Sequence, residues 1–62
     1  MIATIRKDSN GNYNIKCTDP AFVEKWGKPY TASDYTLFTA MEDMTDWANN
    51  EANTEMLFEI DA

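Results

Sequence analysis

Few side chains in this sequence are equipped for chemistry. It has one thiol, Cys17, eleven carboxylates and no histidine. A serine or cysteine nucleophile needs an adjacent base, usually an imidazole, to react at neutral pH, and the chain offers none. Cys17 falls by parity on the inward face of a predicted strand, where a thiol is inert. A single cysteine closes no intramolecular disulfide, and without histidine or a second cysteine there is no zinc set. The chain is expected to be non-catalytic, with neither metal nor cofactor.

The carboxylates point the same way. Glu42 and Asp46 stand one helical turn apart with Asp43 beside them, but nothing nearby supplies the wrapping loop that a hard cation needs. They read as a solvated acidic face. The segment Asp8-Ser9-Asn10-Gly11-Asn12 matches the first three ligand positions of an EF-hand loop, and Asp19 falls at the twelfth. Tyr13 stands where that loop requires glycine, Gly11 comes two places early, and the flanks read as strands instead of helices. A calcium loop is therefore not expected.

Charge is distributed unevenly. The formal net charge is −6, yet Arg6, Lys7, Lys16, Lys25 and Lys28 all precede Pro29, and the rest of the chain carries only acids. Such a surface argues against direct binding to nucleic acid or an anionic membrane, because phosphate recognition needs clustered Lys and Arg. Aromatic residues are the second unusual feature. Trp26, Tyr30, Tyr35 and Trp47 exceed the evident needs of a small core, and Trp and Tyr are favoured anchors at interfaces. The candidate partner-binding set is Tyr35, Glu42, Asp43, Asp46 and Trp47, with Trp26 and Tyr30. The competing reading has the two tryptophans closing the rim of the core where two helices meet.

Position is set by the elements. Ile2–Lys7 and Asn12–Cys17 read as strands joined at Asn10-Gly11. A three-residue loop, Ser9-Asn10-Gly11, pairs Ala3 with Cys17, Ile5 with Ile15 and Lys7 with Tyr13. That register segregates Ala3, Ile5, Tyr13, Ile15 and Cys17 on one face and Thr4, Arg6, Asn14 and Lys16 on the other. Asp19-Pro20 opens a short helix that Gly27 stops. The long periodic stretch from Thr31 to Asn50 predicts an amphipathic helix capped by Thr31 or Ser33. Its buried stripe is Leu37, Met41, Met44 and Ala48, flanked by Ala40, Trp47 and Phe38, with Tyr35, Glu42, Asp43 and Asp46 outward. Thr54–Ile60 alternates Met56, Phe58 and Ile60 with Glu55, Leu57 and Glu59, a half-buried strand.

The expected fold is α+β: a small three-stranded, mainly antiparallel sheet in ββααβ order, with one long and one short helix on one face, forming one compact domain over residues 1–62. The first and last strands are expected to be neighbours. A core this small supplies only about 3–5 kcal/mol, which raises the weight of a partner. No apolar run is long enough for a membrane span, and MIATIRKD lacks the apolar core of a signal peptide, so a cytoplasmic protein is expected.

These features lead to a non-catalytic protein-binding module that inhibits or adapts a larger protein with a basic surface. Its size and acidity suit a phage or mobile-element factor acting in a host. Two alternatives accompany it: a nucleic-acid mimic that enters a basic groove with its carboxylates, and an assembly component that self-associates, for instance as a homodimer, through a sheet edge.

Overall fold

The computed structural model describes residues 1–61. Six elements follow one another: β1 (Ile2–Lys7), β2 (Tyr13–Cys17), α1 (Pro20–Trp26), β3 (Tyr30–Ala32), α2 (Leu37–Asn50) and β4 (Leu57–Asp61). The class is α+β, but the sheet has four strands, in the order β3-β2-β1-β4. The three-stranded ββααβ expectation is corrected to ββαβαβ. The added strand is β3, a stretch too short to show a period of its own.

The β1–β2 hairpin has the predicted register, with Ala3 opposite Cys17, Ile5 opposite Ile15 and Lys7 opposite Tyr13. Its loop is organised by Asp8. One carboxylate oxygen accepts the amides of Asn10 and Asn12 at 2.8 and 3.0 Å, and the Asp8 carbonyl accepts the Gly11 amide at 3.2 Å. Gly11 has φ 84°, the left-handed conformation that glycine adopts at least cost. The acid that resembled a first calcium ligand is thus occupied in holding a turn.

At α1, the Asp19 carboxylate accepts the Ala21 amide at 2.9 Å, and Pro20 takes the first turn, where no amide is needed. Gly27 ends the helix with φ 108° while its amide reaches the Val23 carbonyl at 3.0 Å. A bend at Lys28 and Pro29, joined by a cis peptide bond in place of the extended backbone that Lys28-Pro29 suggests, then leads into β3. This strand pairs antiparallel with β2, Ala32 facing Tyr13 and Tyr30 facing Ile15. On the opposite side of the sheet the Thr31 hydroxyl donates to the Asn14 side chain at 2.8 Å.

Because Thr31 and Ala32 belong to β3, the long helix begins at Leu37 and not at Thr31 or Ser33. A turn precedes it. The Ser33 amide donates to the Thr36 hydroxyl at 2.9 Å, and the Ser33 carbonyl accepts from Leu37 at 3.0 Å. Ser33 therefore shapes the entry turn, and the regular helix follows. After α2, Asn53 adopts a left-handed φ of 52° and turns the chain toward β4. That strand starts later than predicted and runs parallel to β1, with Ala3 beside Phe58 and Ile5 beside Ile60.

The core lies between the sheet and the two helices. Ala3, Ile5, Ile15, Cys17 and Ala32 from the sheet pack with Phe22 from α1, with Ala40, Met44 and Ala48 from α2, and with Met56. Leu37 and Met41 are only half-buried, so the buried stripe of α2 is centred on Ala40, Met44 and Ala48. The opposite sheet face has no helix over it. There Ile2 and Leu57 lie side by side, both exposed, next to Thr4, Arg6, Asn14 and Lys16.

Candidate functional site

The seven residues singled out from the sequence fall in two groups and two separate positions. Trp26, Tyr30 and Trp47 come together with Phe22, and Trp26 is the ring that meets the other three. Ring centroids are 5.7 Å apart for Trp26 and Tyr30 and 6.1 Å for Trp26 and Trp47, both edge to face, and Phe22 meets Trp47 at 6.2 Å. Such geometry suits the aromatic quadrupole. All three are half-buried and Phe22 is fully buried. Most of their area thus joins α1, β3 and α2 to one another. The Nε1–H of Trp26 is buried without an acceptor. Trp47 also shows one side to an open cleft between the helices, lined by Ala21, Glu24, Lys25 and Glu51.

Glu42 and Asp46 form the second group. They line an open cleft of about 380 Å³ with Phe38, Met41, Thr45 and Phe58, where α2 meets β4. Phe38, expected to flank the buried stripe, is 72% exposed. The reason is angular: at about 100° per residue Phe38 lies about 120° around the helix from Met44, beside Glu42 and Thr45. Ile60 shares the inward face of β4 with Phe58, yet it is also 72% exposed. The sequence alone misses these apolar residues as functional candidates, because a stripe drawn through Leu37 and Met41 puts Phe38 at its border and the alternation of β4 puts Ile60 with the inward residues.

Asp43 and Tyr35 stand apart. Asp43 is exposed and does not line the Glu42–Asp46 cleft. Tyr35 was expected on the outer face of the helix, but it precedes the helix in the entry turn, 94% exposed.

No protein-family model matches this chain, and no curated protein or solved structure matches it.

Electrostatically the α2 carboxylates are unopposed. Arg6–Asp61 at 3.8 Å is the sole ion pair among the described residues, and it lies at the sheet, between exposed groups. Lys25 and Lys7 rest over the rings of Trp26 and Tyr13, each 5.7 Å from the centroid. Among the described residues no three His, Cys, Asp or Glu side chains gather into a group able to hold a metal ion. No helix among the described residues is long and apolar enough to cross a membrane. What the Glu42–Asp46 cleft offers chemically is an apolar floor with an acidic rim. That combination accepts an apolar side chain next to a cation.

Proposed function

We propose that this chain is a small, non-catalytic protein-binding module that docks its acidic α2 face on a basic surface of a larger protein and so inhibits or adapts it. One observation carries the reading: the exposed ring of Phe38 shares a cleft with Glu42 and Asp46, neither of which has an ion-pair partner among the described residues. Exposed phenylalanine adds nothing to the fold that a polar residue would not supply, and a base-free acidic rim opposes its own neighbours. Together they suit an interface in which charge steers the encounter and an aromatic anchor holds it. The half-buried Trp26, Tyr30 and Trp47 serve mainly to fix α2 in place. The partner is a protein with a basic surface, in the cytoplasm of the cell in which the chain acts.

The test is affinity capture from that cell with the native chain, with Glu42→Lys/Asp46→Lys and with Phe38→Ala. Loss of the same captured protein with both variants is the expected result. Capture that survives both variants overturns the assignment of this face. Mimicry of nucleic acid predicts a different pattern: steep loss with added salt, with Phe38→Ala as good as the native chain.

A further inference from the structure

The two edges of the sheet are built differently. At one edge stands β3, only three residues long and entered from Pro29. Short strands and proline are common ways of guarding an edge. At the other edge, β4 pairs with β1 at five consecutive positions, without a bulge, and contains no proline, glycine, lysine or arginine. Among the described residues it has no neighbouring strand on its far side.

The free edge coincides with the cleft. The Leu57 amide donates to the Met1 carbonyl at 2.9 Å. Successive backbone groups of a strand point to opposite sides, so Leu57, Glu59 and Asp61 face β1 while Phe58 and Ile60 turn their N–H and C=O groups outward. Phe58 and Ile60 also carry the side chains on the helix side of the sheet, where Phe58 lines the cleft with Phe38 and Met41. A strand added here gains main-chain hydrogen bonds from the same two residues that present apolar side chains to it.

Charge selects the occupant. Glu59 and Asp61 lie on the opposite face of β4, and Glu42 and Asp46 rim the cleft. A second copy of the chain would set these acids against their own counterparts, and like charges directly opposite are destabilising. We propose that β4 is the docking edge for an extended segment of the partner protein, added as a fifth strand. Its apolar side chains fall toward Phe38, Met41 and Phe58, and its lysines or arginines alternate with them to meet Glu59, beside the Asp61 carboxylate that Arg6 already pairs. The proposal rests on the protein-binding role above and specifies the partner: a basic, strand-forming peptide.

The test uses the full chain, labelled for NMR, and a capped peptide in which lysine alternates with valine. Two further peptides carry backbone N-methyl groups on one or the other alternate set of amides, and a third has the same composition in two blocks. The alternating peptide is expected to bind and to slow hydrogen exchange at Phe58 and Ile60. Binding should weaken at least about tenfold for one methylated set and for Ile60→Asp, whose position is exposed enough to leave the fold intact. Equal binding by both methylated peptides and the block peptide overturns the edge, while loss of partner capture by Glu42→Lys/Asp46→Lys still upholds the acidic docking face. No binding of the alternating peptide likewise overturns the edge. A dimer of the chain alone, with Phe58 and Ile60 protected, makes a second copy the occupant and overturns the proposal. Peptide binding and partner capture that both ignore Glu42→Lys/Asp46→Lys and Phe38→Ala remove the protein-binding reading of this face as well.

Discussion

Phe22 is the residue on which the interior depends most. It is fully buried and touches both tryptophan rings, and truncating such a side chain costs about 3–5 kcal/mol. A chain of this length has about that much stability in total. Phe22→Ala is therefore expected to be largely unfolded at room temperature by circular dichroism. Trp26 behaves differently, because its buried Nε1–H has no acceptor and an unpaired buried donor costs about 1–3 kcal/mol. Trp26→Phe removes that donor while keeping a ring, and urea unfolding should place it within about 1 kcal/mol of the native chain. Inward-facing residues of the hairpin were legible from the sequence because a period of two admits only two faces. The exposure of Phe38 was not, since an aromatic residue next to a buried stripe is ambiguous until the helix has a sheet to face.

Elements were legible where local chemistry defines them. Asp19-Pro20 and Gly27 delimit α1 without help from the rest of the chain, and Asp19→Ala should cost about 1 kcal/mol. For a domain of this size that lowers the melting temperature by about 4–8 °C. The strand β3 and the late start of α2 depend on distant partners. Tyr30 and Ala32 become strand only because Ile15 and Tyr13 offer an edge, and no local rule records that offer. Once Thr31 and Ala32 are committed to the sheet, the helix must wait for the turn at Ser33. On α2 itself, Glu42 and Asp46 form a like-charge pair one turn apart, which destabilises a helix by about 0.2–0.5 kcal/mol. Glu42→Lys should thus leave the melting temperature unchanged or slightly raised while it weakens partner capture. A fall in both would mark Glu42 as part of the folding machinery instead.

At the level of the whole molecule, the two sides of the core differ in charge. The open sheet face mixes Arg6 and Lys16 with Glu59 and Asp61, whereas α2 on the other side carries acids alone, Glu42, Asp43 and Asp46. Salt acts on the two roles of these acids with opposite signs. Raising ionic strength to about 0.15 M shortens the screening length to about 8 Å, which relieves repulsion within α2 and weakens attraction to a basic partner. Melting temperature should rise, and partner affinity should fall, across the same salt titration. A complex that strengthens with salt would be held by apolar contact alone.

The parallel pairing of β1 with β4 joins segments far apart in the sequence, Ile2–Lys7 and Leu57–Asp61. The Met1 ammonium reaches the Glu55 carbonyl at 3.0 Å, a contact spanning 54 positions. Closing so long a loop is entropically costly, and folds dominated by such contacts form slowly. During synthesis the hairpin and both helices leave the ribosome before Leu57 does, so β1 waits with one side unpaired and the docking edge does not yet exist. Binding competence at this edge then appears only once Leu57–Asp61 has been made and has paired with β1.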